Sequence, residues 1–464
     1  MRESGLGPRA SGLGLIVIAA CGGQPEAPRC AIERPAQTKL HLDGTVLRDD
    51  YGRAISLRGV NAGGRAKFAP YAPFEFTDDY DARLNAYLDR AATWGIDLLR
   101  VTYSWQAAEP MSGAPDEAYM QRFDALLDGA AARGLWTIVD FHQDIYAEGF
   151  CGDGFPDWTV AGAPAPHHDC ENWSNAYDSD LNVRAAFDAF WAPGGDVMSR
   201  YRSMWSALAA REASRAGVIG LEPINEPHPG SADRETWEKD TLAPFYEDFA
   251  KTTDALVFVD TTGYEGVLGS TGLPRPAGAN IVLAPHSYDA RALFGGKPAE
   301  DVTGRLQPWK DLGAQWNVPV VIGEMGIPVD NPFAAVHAQR HMQALDALGI
   351  GGAWWEYSVA SELWNGEHFS IVNPDGSETA IVDELARPYA RALAGTPLST
   401  TYDPASRRFT ISFTPSGNAP TELAAPSRTA SWHVEATGAC IDEQPGTILV
   451  RPLDGATEVS VSVE

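Results

Sequence analysis

Between about residue 40 and residue 394 the chain alternates short apolar runs with amphipathic stretches, and this alternation restricts the fold more than any other feature. Eight runs have the length and composition of strands: Ala54–Asn61, Leu98–Trp105, Leu135–Asp144, Val218–Glu226, Leu256–Thr262, Asn280–Tyr288, Val318–Gly326 and Gly351–Ser358. Apolar residues at helical spacing lie between them, as in Asp79–Trp94, Glu117–Arg133, Pro332–Leu348 and Glu384–Leu393. Strands alternating with helices point to parallel β/α units, not an antiparallel sandwich. Eight such units in roughly 350 residues fit an α/β fold of the (β/α)8 TIM-barrel type with enlarged loops. A doubly wound open sheet is the alternative. It wants a glycine-rich phosphate loop after an early strand, and Asn61-Ala62-Gly63-Gly64-Arg65 is not one.

After Gly395 the pattern changes. Arg407–Phe413, Ala430–Val434, Thr447–Val450 and Glu458–Val463 read as short β segments between turn residues, the mark of a small C-terminal β-sandwich. The expected division is a signal over 1–21, a tether over 22–39, the catalytic barrel over 40–394 and the sandwich over 395–464.

The amino terminus carries Arg2 and Arg9, an apolar run from Leu13 to Ala20, and then Gly22-Gly23-Gln24-Pro25. That layout is an export signal, too short to span a bilayer. Ile18-Ala19-Ala20-Cys21 resembles a bacterial lipobox, whose cysteine is acylated. The resemblance implies a cell-envelope lipoprotein held at the membrane surface through Cys21, with a plainly secreted protein as the alternative. Setting Cys21 aside leaves Cys30, Cys151, Cys170 and Cys440, an even number suited to an exported chain. Four cysteines allow three pairings; the favoured one joins Cys151 to Cys170 within a loop and Cys30 to Cys440 across the chain. No C-x-x-C or tight His/Cys spacing argues for a metal. With 35 basic and 62 acidic residues the net charge is −27, which repels phosphate backbones and argues against nucleic acid as a partner.

In a barrel, reactive groups stand where strands end. Val218–Ile224 leads into Asn225-Glu226-Pro227, and Val318–Gly323 leads into Glu324-Met325-Gly326. Two non-adjacent units thus each deliver a carboxylate toward one cavity. Glycoside hydrolysis needs such a pair, a proton donor for the leaving oxygen and a nucleophile or base for the anomeric carbon. Arg100, inside the second strand, is placed to keep Glu324 ionised. His142-Gln143-Asp144 closes the third strand with groups able to bond sugar hydroxyls, and His286-Ser287-Tyr288 closes the sixth with a phenol. Trp354-Trp355-Glu356-Tyr357 closes the eighth with indoles that can floor a pyranose ring.

On these residues the chain resembles glycoside hydrolase family 5 and, within it, the endoglycoceramidases and related glycosylceramidases. The marks are Asn225-Glu226-Pro227, His142-Gln143-Asp144, Gly152–Trp158, Gly323-Glu324-Met325-Gly326 and Trp354-Trp355-Glu356-Tyr357, over roughly residues 40–460. The resemblance implies a retaining mechanism without cofactor or metal, with Glu226 as acid/base and Glu324 as nucleophile. It further implies Asn225 at the sugar 2-hydroxyl, Arg100, His286 and Tyr288 around the nucleophile, and His142 and Asp144 as a sugar-binding pair. Trp354 or Trp355 would stack on the sugar, and Lys67 would touch the glycan. Three features depart from the branch: Met325 after the nucleophile, the Gly152-Asp153-Gly154-Phe155-Pro156 loop, and the bridge around it.

A ceramide needs an apolar groove. Phe68, Tyr71, Phe74, Phe150, Phe155, Trp158, Trp173, Trp364 and Phe369 fall in loops of the expected active face. The leading expectation is a monomeric endo-acting glycosidase that cuts between oligosaccharide and ceramide. A β-glucosidase on steryl or simple glucosides, an endo-β-1,4-glucanase, and a non-catalytic carbohydrate-binding surface lipoprotein are the alternatives.

Overall fold

A computed structural model describes residues 27–464 apart from Ala430. The expected signal, Cys21 and the first residues of the tether lie outside the described residues. Eight parallel strands form the barrel: Arg58–Ala62, Leu98–Tyr103, Trp136–Phe141, Val218–Glu222, Leu256–Val259, Ile281–Leu283, Val321–Met325 and Gly351–Trp354. The eighth pairs with the first, placing Gly352, Ala353 and Trp354 opposite Arg58, Gly59 and Val60. The sixth and seventh close the ring through Leu283–Val320 and Ser287–Met325 bridges. All eight are buried along their length, which is why they read as near-continuous apolar runs rather than alternating ones.

The helices cover the outside. In Glu117–Ala131 the Asp116 side chain accepts from the Tyr119 N–H at 3.0 Å, and Tyr119, Phe123, Leu126, Leu127 and Ala130 form the buried stripe. A hairpin of His41–Asp43 and Val46–Arg48 closes the barrel floor: Leu40, Leu47, Ile55 and Leu57 pack there against Leu98, Trp136 and Ile138.

Beyond the floor lies a two-sheet sandwich. Its larger sheet runs His41–Asp43, Val46–Arg48, Ala54–Ile55, Tyr389–Leu393, Thr421–Ala424, Thr447–Pro452, Ala439–Gln444. The smaller runs Gly395–Asp403, Arg408–Pro415, Val459–Val463, Val434–Thr437. Phe409, Ile411, Phe413, Val459, Val461 and Val463 point inward between the sheets, the period-2 pattern of a half-buried strand.

Two expectations about elements are corrected. Glu384–Leu393 is not one helix: the helix is Ala380–Leu385 and Tyr389–Leu393 is a strand, because Pro388 bars helical continuation. Ala54–Asn61 is not one strand either. Ala54–Ile55 pairs in the sandwich, Arg58–Ala62 in the barrel, and Leu57 is buried at the join.

Cys30–Cys440 and Cys151–Cys170 are both bonded, the pairing favoured from sequence. The first fastens an amino-terminal arm to the sandwich edge, where Cys30 N–H donates to Ile441 O at 3.1 Å and Ile441 N–H to Pro28 O at 2.9 Å. No helix among the described residues is long and apolar enough to cross a membrane.

Candidate active site

The carboxyl ends of the barrel strands meet around one buried cation. Arg100, on the second strand, reaches Glu222 at 2.6 Å, Asp140 at 3.1 Å and Glu324 at 2.7 Å. It also donates to Asn61 Oδ1 at 2.9 Å and Asn225 Oδ1 at 2.8 Å. One guanidinium thus orients five side chains from different strands and strand ends, something its planar donor fork allows and a lysine would not.

Glu324 ends the seventh strand and is buried. Tyr288 OH donates to its Oε2 at 2.7 Å. Burial pushes its carboxyl up, but His286, Arg100, His142 and the Tyr288 hydroxyl outweigh that and hold it below the usual glutamate value.

Glu226 follows the fourth strand with φ at 38°, a left-handed backbone uncommon for a residue with a side chain. Surrounding bonds fix it there: its N–H donates to Asp260 Oδ2 at 2.8 Å, and Gln143 Nε2 donates to the carbonyls of Asn225 and Glu226 at 3.0 and 3.1 Å. Gly263 comes so close that a Cβ there would stand 2.3 Å from Glu226 Oε2.

His286 joins the two glutamates. Its Nδ1 lies 2.8 Å from Glu226 and 3.6 Å from Glu324, and its Nε2 lies 3.3 Å from Asp260. Burial opposes its charge, yet Asp260, Glu324 and Glu226 raise it to about 10, so it is an imidazolium at neutral pH. Carboxylate oxygens of Glu226 and Glu324 and a nitrogen of His286 lie within 4.8 Å of one another. Carboxylates brought that near one another suit the roughly 5–5.5 Å carboxyl spacing of retaining glycosidases.

A second cluster stands past Glu324. Lys67 is buried, with its Nζ 2.6 Å from Asp144 and 3.0 Å from Glu367, over the rings of Trp364 and Trp355 at 4.1 and 4.6 Å. Burial pushes the Asp144 carboxyl up, but Lys67 and His142 bring it down to about 2. His142 Nδ1–H donates to Asp140 Oδ2 over 2.8 Å, and the ring stacks on Trp355 with centroids 5.1 Å apart. Burial disfavours its charge, and Asp140 more than restores it, raising His142 well above the usual histidine value.

The structure therefore brings together Glu226, Glu324, Arg100, Asn225, His286, Tyr288, Lys67, His142, Asp144 and Trp355. It does not bring in Trp354. Adjacent strand residues face opposite ways, and Trp354 points outward against His337 and His341 of the helix Ala334–Leu348. Several expected groove residues are packed inside as well: Phe74 lies against Tyr80 and Tyr87, and Phe155 between Phe141, Tyr146 and Phe190.

Asp140, Glu222, Asp260 and Glu367 were missed. The first two carried a readable signal, being charged residues inside otherwise apolar strands, and Asp260 directly follows the fifth strand. Glu367 had none: it comes in on a loop fixed by Asn365, which donates to Cys151 O at 2.7 Å and accepts from Cys170 N–H at 2.9 Å.

Glu226, His286 and Glu324, or Glu222, Asp260 and His286, have the spacing to surround a cation. The Arg100 guanidinium and the His286 imidazolium already place positive charge among these carboxylates, which opposes a metal cation there. Cys151, His167 and Cys170 also cluster, but both sulfurs are spent in the disulfide.

The description "Cellulase (glycosyl hydrolase family 5)" matches residues 49–361, and "Glycoside hydrolase family 5 C-terminal domain" matches 387–463. Endoglycoceramidase I of Rhodococcus hoagii (strain 103S) is 27% identical over 463 residues, covering 92% of this chain and 88% of its own. The structure of endo-glycoceramidase II from Rhodococcus sp. in complex with ganglioside GM3 is similar at a TM-score of 0.75 and 27% identity, over 91% of this chain and 99% of that one. The same enzyme as a lactosyl-enzyme intermediate gives a TM-score of 0.73 at 27% identity, over 92% and 99%.

Proposed function

The chain belongs to glycoside hydrolase family 5, and from that premise we propose that it cleaves the β-glycosidic bond between the glycan and the ceramide of a glycosphingolipid, with retention of configuration. The observation that carries this reading is the Glu226–His286–Glu324 constellation, with both carboxylates within 4.8 Å and only one of them held by a guanidinium and a phenol.

On this reading Glu324, kept ionised, attacks the anomeric carbon while Glu226 hands its proton to the leaving oxygen of the ceramide. The glycosyl ester on Glu324 is then hydrolysed by a water that Glu226 deprotonates. Negative charge moves from Glu324 to Glu226 in the first step and back in the second. The His286 imidazolium stays beside whichever carboxylate bears it. Asn225, its Oδ1 fixed by Arg100 and its Nδ2 donating to Gln143 O at 3.1 Å, turns its second Nδ2 hydrogen toward the sugar 2-hydroxyl. Trp355 floors the sugar, and Lys67, His142 and Asp144 bond its hydroxyls.

The two disulfides support export to an oxidising compartment, and the Ile18–Cys21 lipobox supports attachment of the exported chain to the cell envelope.

Mass spectrometry of products from a ganglioside, lactosylceramide, glucosylceramide and cellohexaose tests the substrate. Ceramide plus an intact glycan is expected. Cleavage of cellohexaose alone would overturn the assignment in favour of a polysaccharide hydrolase, and release of single terminal sugars in favour of an exo-acting enzyme. A fluorosugar adduct on the peptide carrying Glu324 tests retention.

A further inference from the structure

Between the barrel floor and the sandwich lies a cavity of about 220 Å³, at the end of the barrel away from Glu226 and Glu324. It meets the starting ends of three barrel strands, at Arg58, Val321 and Gly351. Leu47, Ile55, Leu57 and Leu393 make its inner wall and are buried, whereas Gly349 and Pro397 on its outer side are exposed. The space admits a small molecule and falls below the roughly 300–1,000 Å³ of a drug-sized pocket. Three charged residues line it, Arg58, Lys310 and Asp346. The carboxylate is already taken, bonded to Arg58 at 3.0 Å and to Arg387 at 2.5 Å. Lys310, half-buried on helix Val302–Trp316, has no carboxylate partner among the described residues; burial alone acts on its ammonium and pulls it below the usual lysine value. Arg58 is 6% exposed and donates to the carbonyls of Leu57 and Ile350 and to Asp346, but its Nε–H is buried without an acceptor. In a chain with 62 acidic residues against 35 basic ones, a cation left unmatched over an apolar wall runs against the supply of carboxylates.

We propose that this cavity is a second ligand site, separate from the catalytic mouth, which takes a medium-chain aliphatic carboxylate, its alkyl chain against Leu47, Ile55, Leu57 and Leu393 and its carboxylate on the Lys310 ammonium. The inference goes beyond the proposed reaction and does not depend on it. The apolar wall alone would suit any alkyl group, and the ammonium alone any small anion. Together they select a molecule with an apolar body and one charged end. A single unmatched ammonium suits a single carboxylate, since a doubly charged phosphate would be left half-compensated beside an apolar wall. The junction of two domains is also where such concave sites recur.

The test is isothermal titration calorimetry of the full chain with octanoate, kept below its micelle-forming concentration, alongside thermal melting. Octanoate should bind one to one and raise the melting temperature, and acetate and 1-octanol should each bind roughly tenfold more weakly or worse. K310M keeps the aliphatic stem and removes the charge; it should lower octanoate affinity roughly tenfold or more and leave 1-octanol unchanged. A390F places a ring in the cavity from the strand Tyr389–Leu393 and should abolish binding of both. Melting of the unliganded variants checks that they fold, and K310M decides the question if A390F does not. No binding of octanoate by the parent, or parental affinity in K310M, would overturn the site. Equal affinities for octanoate and 1-octanol would overturn it in favour of unselective apolar binding. Competitive inhibition by octanoate of hydrolysis of a soluble aryl glycoside would overturn it in favour of the catalytic mouth. Failure to cleave any ceramide glycoside in detergent would overturn the proposed function instead, and leaves the calorimetry readable.

Discussion

His286 is the residue on which the two glutamates depend together. Its charge heads the influences that lower Glu324 against burial, so H286A should carry the acid limb of the kcat/KM profile to higher pH, read on an aryl glycoside. An unmoved limb would assign the control of Glu324 to Arg100 alone. Stability follows in a defined window. The His286 pKa is raised from 6.5 to about 10 on folding, so its stabilisation is complete below pH 6.5 and is lost as pH rises through 10. Thermal melting should show that alkaline decline in the wild type and a flatter one in H286A. E324G or E324S should lower turnover by a factor on the order of 10⁴ or more while the melting temperature stays close to wild type. Activity surviving that change would remove the nucleophile assignment. Sequence resolved this scale unevenly. Strand ends named Glu226 and Glu324, but Trp354 and Trp355 are neighbours, and a two-residue period says that they face apart without saying which faces inward.

At the scale of elements, apolar runs marked all eight barrel strands because each is buried on both faces. Gly395–Asp403 escaped notice: it is largely exposed and polar, leaving no alternation to read. The split at Leu57 escaped for the opposite reason, since one unbroken apolar run serves two layers. The Cys151–Cys170 loop shows what pairing in sequence does not convey. Asn365 grips the backbone at both cysteines, and through it the loop positions Glu367 against Lys67. C151S/C170S should therefore raise KM for the glycolipid more than it lowers kcat, with N365A acting in the same direction. Steady-state kinetics on one glycolipid in detergent separates the two parameters.

Over the whole molecule, barrel and sandwich are joined by the buried run through Leu57 and by paired charges. Glu422 of the sandwich holds Arg391 at 3.0 Å, Arg53 at 3.7 Å and Arg34 at 2.5 Å. E422A removes one carboxylate from the buried Arg391 and Arg53, which keep Asp97 and Asp49, and should lower unfolding free energy by about 1–3 kcal/mol, measured by denaturant titration. C30S/C440S, which frees the arm from a bridge spanning 410 residues, should lower it by about 2–5 kcal/mol. A chain ended after Leu393 loses three strands of the larger sheet and the whole smaller one, and should be insoluble rather than a working barrel.

The amino-terminal arm leaves the protein along the sandwich edge at Ile441, at the floor end of the barrel, whereas the catalytic mouth opens at the other end. Cys21 precedes Ala27 by six positions, a reach of roughly 20 Å when extended. An acyl chain there would hold the floor against the producing cell and turn the mouth outward. The enzyme would then work in trans, bridging its own envelope to a foreign membrane and drawing on glycolipids of another cell.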